Sequence, residues 1–290
     1  VRINSNDYLM KPSAAALQRP LSLLLFLLTA LSSLALAVAS GSDWDPVIIP
    51  IPNHNNNGRD LFANLTQIPY NKRHSAFWLT TNHNVTVAVA KESDGKQRLQ
   101  TVGLTAQQFG CKTAATNGGP FNADGSNSGP VVIQGRLVGT NAPTDFVGFG
   151  TTVNGEYLFG NYHDFDDDRI WEFVTGFGWL VYNGTSVVGS NEDDKRAPRT
   201  IIGVDKDYNL ISVVIDGCER CFYSNGMTLH QASIFLQGRG AQYAISLDGG
   251  SSSTFVSQLR VVNQPTCTGL PIVCERPVAT TICISDAAKN

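Results

Sequence analysis

Between Ile245 and Thr254 a short apolar run ends in Asp248, followed by Gly249-Gly250 and four hydroxyl residues, Ser251 to Thr254. Glycines carry no Cβ and let backbone N–H groups approach an anion closely, and the hydroxyls add donors. Asp248 at the end of a strand could be held rigidly beside such an anion site; the same residues also suit a plain Ser-rich turn. Four further features belong with it. Pro198-Arg199-Thr200 enters a strand, and Arg199 supplies a planar cation suited to phosphate. Val213 to Ile215 leads into Asp216-Gly217, a second acid at a strand end. Asn117-Gly118-Gly119 is a second Gly-rich turn, and Thr175-Gly176-Phe177-Gly178-Trp179 brings glycines and an aromatic that could face a sugar ring. Taken singly, each is ordinary turn chemistry.

Composition narrows the chemistry. The 290-residue chain is 42% hydrophobic and 16% charged, enough for an ordinary core. A net charge of −3 provides no basic field, so no nucleic-acid partner is expected. The five histidines include no pair at metal-ligand spacing, so no metal is expected. No Lys follows Gly249-Gly250 as in a phosphate-binding P-loop, and no cofactor is expected.

These residues must be positioned by short strands. With 27 Gly and 13 Pro, the chain favours turns and strands over long helices. Alternation and β-branching predict strands over Asn84–Ala90, Val131–Val138, Phe146–Val153, Glu156–Phe159, Phe177–Tyr182, Ser186–Val188, Thr200–Val204, Leu210–Asp216, Tyr243–Leu247 and Val278–Ile284. Asn154-Gly155 and Asn183-Gly184 are hairpin signals. The clearest helix is Thr228–Gln237, capped by Thr228, with Leu229, Ala232, Ser233 and Leu236 on one face and Gly238 and Gly240 at its end. The expected fold is a single α+β domain, β-rich and mostly antiparallel with few helices, stabilised by disulfides.

The N-terminal part reads differently. From Met10 the order is basic (Lys11, Arg19), apolar and uncharged (Leu21–Val38), then small at Ala37-Val38-Ala39. This is the pattern of a secretory signal peptide, so residues 1–39 are expected to be upstream read-through plus a cleaved signal; an uncleaved signal anchor is the alternative. No second apolar run of membrane length follows, so no stable membrane span is expected after cleavage. Residues 40–75 read as an extended lead-in or pro-segment, and 76–290 as the catalytic domain. Lys72-Arg73 is either a processing site or a solvated dibasic pair. Sequons at Asn64, Asn84 and Asn183 suit a secretory-pathway protein, secreted or in an endomembrane lumen. The six cysteines, Cys111, Cys218, Cys221, Cys267, Cys274 and Cys283, read as three disulfides in that oxidising setting. Redox chemistry at the C-x-x-C of Cys218 and Cys221 is the lesser reading.

Together and in this order the motifs resemble the phosphodiester glycosidase family, over about Gly110 to Ile284. Its Asn-Gly-Gly-aromatic motif matches Asn117, Gly118 and Gly119, with Pro120 at the aromatic's place. Its Gly-x-x-Trp-Leu-x-x-x-Gly strand matches Gly176, Trp179, Leu180 and Gly184, and its Arg-Thr-x-x-Gly matches Arg199, Thr200 and Gly203. Its strand-end Asp-Gly matches Asp216 and Gly217. Its Leu-Asp-Gly-Gly matches Leu247 to Gly250, with Ser251 where a third Gly is usual. The resemblance to an animal member also implies the pairs Cys111–Cys283 and Cys267–Cys274, which leaves Cys218 with Cys221.

The resemblance implies hydrolysis of the bond from a sugar's anomeric carbon to phosphate, in a substrate like an N-acetylglucosamine-1-phosphodiester. A phosphate monoester leaves readily, so the protein must chiefly hold its charge, for which Arg199 and the Gly249–Ser251 amides are candidates. The oxocarbenium-like centre needs a carboxylate, with Asp248 the first choice and Asp216 the second. Asn117, Gly118, Gly119, Thr200 and Gly217 complete the expected substrate and phosphate contacts. Two rivals remain: a secreted carbohydrate- or phosphate-binding protein of the same fold without catalysis, and a structural disulfide domain.

Overall fold

The computed structural model describes residues 44–51, 61–89, 98–142, 144–191, 195–219, 221, 224–267 and 272–285. The expected signal segment, residues 52–60 of the lead-in, and Ala90 of the first expected strand lie outside them.

Among the described residues the chain forms eighteen strands and two α-helices. The strands are β1 Val47–Pro50, β2 Ala63–Pro69, β3 Ser75–Thr81, β4 Asn84–Ala88, β5 Ala114–Asn117, β6 Val131–Ile133, β7 Arg136–Leu137, β8 Gly148–Thr152 and β9 Glu156–Gly160. They continue with β10 Ile170–Thr175, β11 Gly178–Tyr182, β12 Thr185–Ser186, β13 Arg199–Asp205, β14 Leu210–Ile215, β15 Ala241–Ser246, β16 Phe255–Ser257, β17 Arg260–Val261 and β18 Thr281–Ser285. The helices are α1 Val102–Phe109 and α2 Leu229–Gln237.

Three sheets result, in the orders β1-β9-β8-β10-β6-β7, β12-β11-β15-β13-β14-β3-β2 and β17-β16-β5-β18-β4. The ladders are antiparallel, which gives the expected mostly antiparallel, β-rich α+β fold. Period-2 alternation assigns the faces. In β14 Leu210 and Val214 enter a central core shared by all three sheets, while Ile211, Val213 and Ile215 meet Ala232 and Leu236 of α2. Every residue of β14 is therefore buried, which is why its sequence reads as an apolar run broken only by Ser212. Each large aliphatic side chain sealed this way contributes roughly 1.5–3 kcal/mol. Thr228 caps α2 through a reciprocal pair with Gln231, a capping box.

Several expectations need correction. Val131–Val138 is a hairpin rather than one strand: Gln134 and Gly135 take φ of 49° and 72°, a turn that reverses the chain between β6 and β7. Helix α1 and strands β3, β5, β10, β16 and β17 were not expected. The lead-in supplies β1, paired to β9, and β2, paired to β3. Lys72 and Arg73 are exposed in the β2–β3 turn, where Asn71 Oδ1 accepts from the N–H groups of Arg73 and His74. The three sequon residues, Asn64, Asn84 and Asn183, are exposed.

The disulfides pair Cys111 with Cys283, Cys218 with Cys221 and Cys267 with Cys274. The first spans 172 residues and ties the C-terminus of α1 to β18. Closing a loop of that length contributes about 5 kcal/mol in the chain-entropy model. Among the described residues no helix is long and apolar enough to cross a membrane.

Candidate active site

The second and third sheets meet where β15 ends and the chain passes through Asp248 and a tight turn at Gly250–Ser252 into β16. Antiparallel register brings several strand ends to this corner: Gly178 and Ile201 both pair with Ser246, and Arg199 pairs with Ile215. The first residues of β11 and β13 and the last of β15 thus gather at one edge.

A cleft of about 300 Å³ opens there, lined by Phe177, Lys195, Ala197, Arg199, Glu219, Asp248, Gly249, Gly250, Ser251 and Arg276. Burial pushes the Asp248 carboxyl up to about 6, against the lowering effects of a hydrogen bond from Ser252, the Arg276 charge and the Gly249 amide. Arg276 donates to Ser252 Oγ at 3.0 Å and lies over the Phe121 ring, 4.7 Å from its centroid. Arg276, Ser252 and Asp248 therefore form a chain from a cation through a hydroxyl to a carboxylate. Arg199 is clamped by two carbonyls: its Nε donates to Met227 at 3.0 Å and Nη2 to Lys195 at 2.6 Å. Lys195 pairs with Glu219. Three cations and two carboxylates face one small cavity, with an aromatic edge supplied by Phe177.

The Asn117-Gly118-Gly119 turn lies beneath this cleft rather than in it. Asn117 is fully buried; its Nδ2 donates to the Asp248 carbonyl at 2.6 Å, and its Oδ1 accepts from Thr200 Oγ1 at 2.8 Å and Thr254 N at 3.2 Å. The Gly118 carbonyl accepts from Asp248 N at 3.1 Å. The two glycines serve close packing: a Cβ on Gly118 would meet Thr280 Oγ1 at 2.4 Å, and one on Gly119 the Thr175 carbonyl at 1.9 Å. Thr200 is also fully buried and bonds Ser253 Oγ at 3.1 Å besides Asn117. Its hydroxyl is a strut, not a surface for ligand.

Of the Gly249–Ser251 amides, that of Gly250 donates to the Pro198 carbonyl at 2.9 Å, so it holds β13 to the turn instead of facing an anion. Ser251 lines the cleft. Asp216 lies apart. It is 2% exposed, and its Oδ1 accepts from Gln264 N at 2.9 Å and Asn263 Nδ2 at 3.2 Å. Its carbonyl accepts from Tyr70 Oη, and burial pushes its carboxyl up. Gly217 packs against Asn225, whose carbonyl oxygen would lie 2.4 Å from an added Cβ. Asp216 and Gly217 therefore anchor the end of β14 to the loop before Thr266. Among the expected site residues, the structure brings together Arg199, Asp248, Gly249, Gly250 and Ser251. Sequence reasoning missed Lys195 and Arg276, which sit in irregular segments without periodicity. It also missed Glu219 as a site residue, although the C-x-x-C spacing around it was visible.

The family model for phosphodiester glycosidases matches residues 111–285. An N-acetylglucosamine-1-phosphodiester alpha-N-acetylglucosaminidase of Mus musculus is 29% identical over 214 residues, covering 66% of this chain and 41% of its own length. The Homo sapiens protein of the same name is 26% identical over 213 residues, with 66% and 41% covered. The chain thus spans about two fifths of the length of these relatives. Among solved structures, the zebrafish catalytic domain of that name, described as auto-inhibited by its pro-peptide, superposes with a TM-score of 0.68 at 23% identity, covering 84% of this chain and 89% of that one. A hypothetical protein from Synechocystis shares the fold at a TM-score of 0.53 and 14% identity, covering 79% of this chain and 64% of that one. The family match runs over more than half of the residues, from the cysteine after α1 to the last strand, and takes in both the Asn117 turn and the Asp248 corner; the chain belongs to the phosphodiester glycosidase family.

Proposed function

We propose that this protein hydrolyses the bond between the anomeric carbon of a sugar and phosphate in a sugar-1-phosphodiester, with N-acetylglucosamine as the sugar class, and that it works in the secretory pathway. The observation that carries the reading is the cleft itself: one partly desolvated carboxylate, Asp248, facing Lys195, Arg199 and Arg276 across a cavity of about 300 Å³. A phosphodiester brings one negative charge and, on cleavage, leaves as a monoester with more. Cations fixed beforehand by Met227, Lys195 and Ser252 stabilise that growing charge without reorganising. As the anomeric C–O bond breaks, its electron pair departs with the phosphate, and the Asp248 carboxylate stabilises the positive charge left on carbon. Water then supplies the new C–O bond. Phe177 offers an apolar face to the sugar.

Asn117, Thr200, Gly118 and Gly119 act in this scheme by positioning Asp248, and Asp216 by anchoring β14. The relatives' names support the substrate class. A second reading, a binding protein without turnover, is favoured by Ser251, which puts a side chain into the cleft where the family usually has Gly. Incubating the purified protein with N-acetylglucosamine 1-(methyl phosphate) separates the two. Release of free sugar and methyl phosphate in equal amounts supports hydrolysis. Saturable binding without release supports the second reading.

A further inference from the structure

Glycoside hydrolysis ordinarily needs two carboxyl groups, one at the anomeric carbon and one to manage the proton of water. Asp216 does not line the cleft and its Oδ1 is committed twice. Among the described residues, the acidic side chains that do line it are Asp248 and Glu219.

Glu219 is held in place from several sides. It lies in the four-residue ring closed by the Cys218–Cys221 disulfide. Its carbonyl accepts from Ser224 Oγ at 2.5 Å, and Cys218 exchanges two backbone hydrogen bonds with Asn225, at 3.1 and 2.9 Å. Its carboxylate pairs with Lys195 and sits directly over the backbone of Gly250. A Cβ at Gly250 would lie 2.3 Å from Glu219 Oε2, and Gly250 has a φ of +60°. The positive φ favours glycine there, and the Glu219 carboxylate occupies the space a side chain would take.

We propose that Glu219 is the second carboxylate of the reaction, the base that takes the proton of the attacking water, and that the Cys218–Cys221 ring fixes it over the cleft. This rests on the hydrolase reading above. In the step, the water oxygen bonds to the anomeric carbon, the carbon–phosphate oxygen bond breaks with its pair on the phosphate, and one water proton passes to Glu219. Lys195 gains a second role: it shares its charge between Glu219 and the incoming phosphodiester, so substrate binding loosens the hold on the base. The Asp248 carboxyl is pushed up by desolvation, with the nearby Glu219 charge adding to the rise, so the two carboxylates are close enough to act on one sugar.

The test compares wild type, Glu219→Gln, Glu219→Asp and the double variant Cys218→Ser/Cys221→Ser on N-acetylglucosamine 1-(methyl phosphate), with kcat, KM and Tm measured for each. Glu219→Gln is expected to lower kcat on the order of 100-fold with KM within about threefold and Tm unchanged. Glu219→Asp keeps the base one methylene short and is expected to fall between, about tenfold down. The double variant is expected to lose about tenfold in kcat, because the ring no longer fixes the base. Wild-type kcat in Glu219→Gln, or an effect confined to KM, would overturn the proposal while leaving the hydrolase reading intact. Should Glu219→Gln not fold, Glu219→Asp decides, and wild-type kcat there overturns it. Absence of turnover in the wild type would instead remove the hydrolase reading and this proposal with it.

Discussion

The side-chain amide of Asn117, at the end of β5, donates to the backbone carbonyl of Asp248, just past the end of β15, at 2.6 Å. One buried amide thereby joins the third sheet to the residue that carries the carboxylate. Its other atom, Oδ1, accepts from Thr200 and Thr254, so the amide spans β5, β13 and the strand entry to β16. An amide serves here because a donor and an acceptor are needed at opposite ends of one planar group.

Asn117→Asp keeps the shape and the acceptor but puts a second oxygen against the Asp248 carbonyl. The variant must either bury a charge or protonate. It is expected to lose about 2–4 kcal/mol of stability. The shift of the guanidinium unfolding midpoint at pH 7 checks this. A midpoint unchanged from wild type would mean that the amide does not brace this corner.

Arg276→Gln removes a charge at the rim of the cleft and, with its amide two bonds shorter, the contact to Ser252 Oγ. If Arg276 holds phosphate, KM for a sugar-1-phosphodiester should rise on the order of tenfold, about 1.4 kcal/mol. The inhibition constant of inorganic phosphate should rise by a similar factor. An unchanged phosphate constant would confine Arg276 to its contacts with Phe121 and Ser252.

The site and the fold were legible to different depths. Asp248, Arg199 and the Gly249-Gly250 turn stood out because a polar residue at the end of an apolar strand breaks a pattern. Asn154-Gly155 and Asn183-Gly184 located two hairpins, β8–β9 and β11–β12, because left-handed turn residues leave a compositional mark. What those polar residues do was not legible. Asn117, Thr200 and Asp216 look like ligand-binding residues in one dimension, but three-dimensional packing turns them inward to join strands far apart in sequence. Arg276 was invisible because it sits in an irregular segment before β18, and only the folded chain brings it through Ser252 to Asp248. Strand β10 went unread because both its faces are buried, Val174 in the central core and Ile170 and Phe173 in a second apolar cluster, which erases alternation.

Glu172 on β10 offers a test of the buried electrostatics away from the site. It is 1% exposed, Oε2 accepts from Val87 N at 3.0 Å, and burial pushes its carboxyl up to about 7. The folded protein therefore holds this proton more tightly than the unfolded chain, whose value is 4.5. Stability is lost as pH rises from about 4.5 to about 7, by up to about 3 kcal/mol. Glu172→Gln cannot ionise and should escape this loss. Its stability relative to wild type should climb across that window and level off near pH 8. A difference that stays flat between pH 4 and pH 8 would show that Glu172 does not titrate as its burial requires.

The central claim is that the Asp248 carboxylate acts on the anomeric carbon, and kcat of Asp248→Asn beside wild type tests it most directly. Asn keeps the size but carries no negative charge. Turnover of a sugar-1-phosphodiester should fall on the order of 10²-fold or more. Stability should not fall with it. The wild-type carboxyl is raised from 3.8 to about 6, so its ionised form opposes folding at pH 7, and Asn removes that opposition. Wild-type kcat/KM should decline as pH drops below about 6, where Asp248 takes up its proton. A folded Asp248→Asn variant with lost turnover and an undiminished melting temperature is the expected result. Near-wild-type kcat in that folded variant would contradict the account.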